Sequence, residues 1–179
     1  MEVRKLYTMV DITMYDNEIC FKSIGIIHSP YTKVEGMPVQ PVTSGSANAF
    51  IELDPQLVDG LKDLDGFSHI IVLYYFHRSH RYKLTVNPFL DTKQRGLFAT
   101  RAPNRPNPIG LSVVQLKRIE ENRLYLGSID ILDGTPLLDI KPYSPIFENI
   151  IDPKSGWLEH DVVKTSDCVA DRRFVNDNE

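Results

Sequence analysis

The chain has 179 residues, of which 42% are hydrophobic, with 20 Lys and Arg against 24 Asp and Glu for a formal net charge of −4. That composition excludes a collagenous, disordered or disulfide-stapled chain and supplies enough apolar residues for one buried core, so a single soluble domain is expected. No segment reaches the roughly 18 apolar residues of a membrane span, and the opening Met1-Glu-Val-Arg-Lys-Leu-Tyr-Thr-Met-Val-Asp11 lacks the apolar run of a secretory signal, so a cytoplasmic protein with no membrane partner is expected.

Residues 1–20 read as a leading extension able to add an edge strand. Residues 21–28 are rich in β-branched side chains and stop at Ser29-Pro30, and residues 47–53 alternate and stop at Asp54-Pro55; both are predicted strands. Between them Gly36-Met-Pro-Val-Gln-Pro41 forms a stiff polar loop. Asp54 suits a helix N-cap, Pro55 the first helical position and Gly66 the stop, while Leu57, Leu61 and Leu64 share one face, so the spacing predicts one short amphipathic helix. Residues 69–76 are almost continuously β-prone and predict a central strand buried on both faces. Residues 97–100, 111–119 and 123–129 supply further strands, the last two joined by a tight turn at Glu120-Glu121-Asn122. Residues 130–143 read as another loop, with a turn at Asp133-Gly134. The fold class is therefore mainly β: a single compact β-barrel over residues 21–150, with one short helix and loop-rich termini, followed by an acid-rich, loosely packed tail over 151–179. No internal repeat is present.

The densest chemistry lies in Arg95-Gly-Leu-Phe-Ala-Thr-Arg-Ala-Pro-Asn-Arg-Pro-Asn-Pro-Ile-Gly110. Pro103, Pro106 and Pro108 fix φ and remove amide donors, which forbids a helix and stiffens the carrier of Arg101, Asn104, Arg105 and Asn107. Residues 78–105 hold seven Lys or Arg against Asp91 alone, a local charge of +6 that leaves −10 for the rest. Two readings stand: a footprint for a polyanion such as nucleic acid, or a solvated loop. Cys20 and Cys168 have no metal or redox spacing, and His69, His77 and His80 lack the carboxylate or cysteine that would complete a tetrahedral set, so no metal is expected. His69, after Ser68, reads as a hydrogen-bonded core histidine, whereas His77 ends the central strand where barrels hold ligands at the rim. Walker, Gly-x-Gly-x-x-Gly and Gly-x-Ser-x-Gly motifs are absent, which sets aside the common nucleotide folds and serine hydrolases. Three stiff polar loops, at 36–41, 95–110 and 130–143, are expected to converge on one rim.

Ile24-Gly-Ile-Ile-His-Ser-Pro-Tyr31, Met37-Pro-Val-Gln-Pro41, Gly66-Phe-Ser-His69, Gly96-Leu-Phe-Ala-Thr-Arg101, Arg105-Pro-Asn-Pro-Ile-Gly110, Asp130-Ile-Leu-Asp-Gly-Thr-Pro136 and Asp139-Ile-Lys-Pro-Tyr143 resemble, in this order, the TsaA-like (YaeB-like) family over roughly residues 22–147. The resemblance implies a β-barrel that binds S-adenosylmethionine, usually as a homodimer, and methylates N6 of N6-threonylcarbamoyladenosine at position 37 of certain tRNAs. Its motifs carry the cofactor site onto Pro38, Val39, Gln40, His77, Arg78, Arg101, Leu111, Asp133, Gly134, Thr135 and Pro136. Arg101 or Arg78 suits the methionine carboxylate, Asp133 or the backbone carbonyls of its turn the ammonium and sulfonium, and Leu111 an adenine slot, unless Leu111 is simply a barrel-core leucine. Many bacterial members carry arginine where this chain has Val39, which removes one cation here. They also append a small C-terminal domain, where about 30 residues follow the shared region here.

The implied reaction is in-line displacement at the methyl carbon, which rests on alignment and on help in removing the N6 proton. His77, Asp133, Asp139 and Tyr143 are the candidate catalytic groups, with a turn residue and a packed aromatic as the plainer readings of the last two. Arg105 and Asn107 are candidates for the tRNA anticodon loop, with loop architecture as the other reading. A cofactor-binding module or sensor without transferase activity is the alternative function.

Overall fold

Alternation along the strands decides the architecture. A computed structural model of the chain describes residues 19–38, 48–79, 81–89, 91–159, 170, 171 and 174. In β6 (Ile109–Glu120) Gly110, Ser112, Val114 and Leu116 face inward and are buried, while the residues between them are exposed. β3 (His69–Tyr75) matches it, with Ile70, Val72 and Tyr74 inward, and pairs antiparallel to it from His69↔Gln115 to Tyr75↔Ile109. β1 (Gly25–His28), β2 (Phe50–Leu53), β7 (Arg123–Leu126) and β8 (Thr135–Pro142) complete a six-stranded antiparallel ring in the order β1-β2-β7-β6-β3-β8, closed by β8 against β1. Closure puts one apolar residue set inside: Ile27, Ile51, Ile70, Val72, Val114, Leu124, Leu126 and Leu137 are buried there. On β8, Leu137 pairs with Tyr74 but Asp139 pairs with Leu73, so Leu138 is an extra residue at a bulge that bends β8 between its two partners.

The fold class agrees with the sequence expectation, and several elements differ from it. The stretch after β2 is not an α-helix but two 3-10 turns, Pro55–Leu61 and Leu64–Gly66. Asp54 caps the first through Gln56 N at 3.0 Å, as its position predicts, but Asp63 takes a left-handed φ of 65° and breaks the run. The one α-helix among the described residues, α1 (Pro145–Glu148), lies where no element was predicted. Ser144 caps it by accepting from Ile146 N, and Glu148 reaches back to Ser144 N, a short-range cap that needs no apolar periodicity.

β3 is buried on one face only, because its outward residues meet no second layer among the described residues. Residues 97–100 form a 3-10 turn, Leu97–Ala99, rather than a strand. Most of the expected 130–143 loop is strand β8. His69 bonds Ser68 Oγ through Nδ1 at 2.9 Å, but it stands half-buried at a barrel end and not in the core. The acidic tail is not simply loose either: Trp157, Ala170 and Phe174 all contact the body of the molecule. The leading extension up to residue 18, Val39, Gln40, His80 and Cys168 lie outside the described residues, and Cys20 is an exposed free thiol.

Candidate functional site at one end of the barrel

Strand registers place the loops. His28 pairs with Phe50, Ile27 with Thr135, and Tyr75 with Ile109, so the ends of β1 and β3 and the start of β8 all open at the same end of the ring. The loops after β1, after β3 and before β8 therefore meet there. The 29–31 turn is zipped onto the 131–134 turn: Ser29 N donates to Asp133 Oδ1 at 3.1 Å, Ser29 Oγ to Ile131 O at 2.6 Å, Asp133 N to Tyr31 O at 2.8 Å and Gly134 N to Ile27 O at 2.9 Å. Gly134 sits at φ +74° with open space where a Cβ would be, which only glycine adopts without strain and which leaves the turn backbone accessible.

His77 comes in from β3. Its Nδ1 lies 3.4 Å from Thr135 Oγ1, whose own proton is directed to Leu132 O at 2.7 Å. The threonine oxygen is therefore left to accept from the ring nitrogen. His28, which sequence reasoning passed over, stands between two carboxylates, with Nδ1 3.5 Å from Asp133 Oδ1 and Nε2 3.7 Å from Glu52 Oε2, and stacks on Phe50. The signal was available: like His77, it ends a strand just before a turn.

The 76–108 segment is an arch with its own small core. β4 (Thr85–Val86) and β5 (Arg95–Gly96) pair, and Val86, Leu97 and Ala102 are buried together. Its foot is fastened to β3 by Phe76 N donating to Pro108 O, and Ser79 Oγ reaches Asn104 Oδ1 at 2.6 Å and Pro103 O at 3.0 Å. Arg105 turns inward: Nη1 donates to Thr100 O at 3.0 Å and Leu97 O at 3.4 Å, and the guanidinium lies over Phe98. It closes its own loop. Arg78, Arg101 and Asn107 are exposed, and Pro38 is buried.

Inside the barrel runs a buried polar chain that the motif reading also missed. Tyr74 OH is 3.2 Å from Ser112 Oγ, which donates to Asp130 Oδ1 at 2.8 Å. Burial pushes the Asp130 carboxyl and the Tyr74 phenol above their ordinary ranges, and the Arg101 charge acts on both in the opposite sense. Arg101 is thus within electrostatic reach of the chain. A sequence signal existed here too, since Gly110 and Ser112 occupy inward positions of an otherwise apolar series.

Other expected groups separate. Leu111 is 49% exposed, not a core leucine, because its odd position on β6 faces outward; Leu73, its partner on β3, also pairs with Asp139. Asp139 is held on the outer wall, with Oδ1 accepting from Ile140 N at 2.9 Å and Oδ2 2.6 Å from Lys141 Nζ. Tyr143 packs on His69 at the far end of β3, about 20 Å along the strand from the His77 end. The structure does not bring Tyr143 to the converging loops of the same chain. Pro136 pairs with Ile26 at their edge.

This ring with its zipped turns and proline-stiffened arch has counterparts. Residues 26–149 match the family described as tRNA-methyltransferase O N-terminal domain. The chain belongs to that family. A TrmO crystal structure from Pseudomonas aeruginosa superposes with a TM-score of 0.67 at 38% identity, over 79% of this chain and 63% of that one. A probable S-adenosyl-L-methionine-binding protein of Pyrococcus abyssi is 46% identical over 89% of this chain and 87% of its own length. The tRNA (adenine(37)-N6)-methyltransferase of Escherichia coli is 38% identical over 78% of this chain, which spans 63% of that enzyme. Within the TrmO family the candidate site reduces to two groups of parts: the exposed cations Arg78 and Arg101 on the arch, and the open Asp133-Gly134 turn with His77 and Thr135 beside it, while Leu111 stands apart on the outer wall.

Proposed function

We propose that this chain is an S-adenosylmethionine-dependent methyltransferase acting on N6 of N6-threonylcarbamoyladenosine at position 37 of tRNA. The observation that carries the reading is the meeting of family motifs at one barrel end, where His77 lies against Thr135 beside the open Asp133-Gly134 turn and the Arg101 charge reaches Asp130. The residues suit the methyl donor: guanidinium for a carboxylate, the Asp133 carboxylate for a cation, and exposed Leu111 for an apolar ring. When bound, that donor supplies an electrophilic methyl on sulfur. The stiff arch and the zipped turns hold the reactants in line, which replaces a bimolecular encounter.

His77 is the favoured group for receiving the N6 proton, because it follows the β3 strand beside the open turn with Thr135 against its ring. Asp139 is paired with Lys141 and Tyr143 lies at the far end, so neither serves in the same site. Asp133 has its Oδ1 committed to Ser29 N and supports the turn. Of the basic residues in 78–105, Arg95 pairs with Asp91 and Arg105 with its own loop, which leaves Arg78, Arg81, Lys83, Lys93 and Arg101 exposed to meet phosphates of the anticodon loop, and Asn107 is exposed as well. The reading includes a homodimer: Tyr75, Ile109, Leu111 and Val113 form an exposed apolar wall on β3 and β6 suited to a second copy.

Incubating the protein with tRNA and methyl-labelled S-adenosylmethionine, followed by nucleoside mass spectrometry, tests this directly. Label on the threonylcarbamoyl nucleoside is expected. Binding of the cofactor without transfer to any RNA supports a binding module instead, the function named for the Pyrococcus relative. Arg101→Ala is expected to weaken cofactor binding about tenfold. His77→Gln is expected to lower transfer about 100-fold with binding kept.

A further inference from the structure

The arch that carries Arg101 is larger than its own core can hold. Among its described residues only Val86, Leu97 and Ala102 form a buried apolar cluster, and that cluster is separate from the barrel core. With Pro88 that makes four buried residues, few for a segment that spans 76–108. Besides the hydrogen bonds within the arch, further fastenings come from beyond the barrel. Trp157 Nε1 donates to Ala99 O at 2.8 Å, and the Arg95 guanidinium lies over the indole ring, 5.2 Å from its centre. Phe174 packs against the Val86, Leu97 and Ala102 cluster, meets Phe89 edge to face at 5.0 Å, and its carbonyl accepts from Asn104 Nδ2 at 3.3 Å. Ala170 joins the same segment to a second loop: its N donates to Met37 O at 2.8 Å and its carbonyl accepts from Gly36 N at 2.9 Å.

These contacts bracket one residue. Trp157 holds the backbone two positions before Arg101, and Phe174 holds the buried neighbour Ala102 and the side chain of Asn104 after it. Arg101 itself is exposed, so nothing in its own burial fixes it. We propose that Trp157 and Phe174 are positioning residues for Arg101: they clamp the arch from both sides so that the guanidinium is presented to the methyl donor in one place, while Ala170 ties the turn before Pro38 to the same clamp. This rests on the methyl-donor reading of the site. It assigns Trp157, Ala170 and Phe174 a part in cofactor binding that acts through the arch and not by contact with the cofactor.

The test uses the full chain and S-adenosylmethionine binding by calorimetry. Trp157→Ala and Phe174→Ala are each expected to weaken binding about tenfold with the barrel's melting temperature nearly unchanged, and Phe174→Leu, which keeps an apolar group on the cluster, to restore most of it. A loss that acts through Arg101 is not additive with its removal, so in an Arg101→Ala background the same changes should cost less than about twofold. Binding by the unaltered chain that neither variant weakens, or effects that remain fully additive with Arg101→Ala, overturns the clamp while leaving the functional reading in place. No binding by the unaltered chain overturns both.

Discussion

Gly110 shows how a single missing methyl shapes the inside of the barrel end. A Cβ there would fall 2.2 Å from the Tyr74 ring, so glycine is what lets the ring lie across β6 and present its hydroxyl to Ser112. Gly110→Ala is therefore expected to destabilise the fold by about 1–3 kcal/mol, read in urea unfolding, since the obstacle is a packed ring and not a mobile side-chain end. Asp130 at the other end of that chain has a pH signature. Burial raises its folded pKa above the ordinary 3.8. A carboxyl shifted upward on folding favours the fold fully below its unfolded value and loses that contribution as pH rises through its folded value. Stability should fall as pH climbs from about 3.8 through the raised range. Asp130→Asn cannot ionise and should lack that component in thermal melts taken across pH; identical slopes would sink the assignment.

The elements differ in how openly the chain announces them. β1, β2, β6 and β7 were legible because period-two patterns and breakers such as Ser29-Pro30, Asp54-Pro55 and Glu121-Asn122 need only neighbours in sequence. Caps and leucine spacing over 54–66 suit an α-helix, yet Asp63 takes a left-handed φ and Leu61 and Leu64 reach the core only partly buried, so packing does not enforce an α-helical register there. β8 was hidden because its bulge at Leu138 breaks the alternation and Thr135-Pro136 resembles a turn. The arch was misread at residues 97–100 for a similar reason: Leu97 is fully buried in a local cluster rather than in a sheet. Leu97→Ala is expected to cost about 2–5 kcal/mol of local stability, seen as faster hydrogen exchange in residues 84–102 with the barrel strands still protected.

At the level of the whole molecule, the exposed wall of Tyr75, Ile109, Leu111 and Val113 bears on assembly. A homodimer formed through it should appear in sedimentation, and Val113→Glu should drive the population towards monomer by placing a charge in the apolar contact. If the protein sediments as a monomer, the wall serves something other than a second copy. Family membership, a barrel, and the motif residues His77, Arg101 and Asp133 could be named from the chain because they sit in contiguous stretches whose spacing and turn chemistry are local properties. The distribution of roles among them could not. Whether Arg105 faces RNA or its own carbonyls, whether Leu111 points in or out, and whether Tyr143 shares an end with His77 depend on strand register and closure. The same holds for the clamp on Arg101, which joins residues 58 positions apart through one indole hydrogen bond. A one-residue change of register reverses every side chain on a strand, and such long-range pairings are set by the packing of the closed ring.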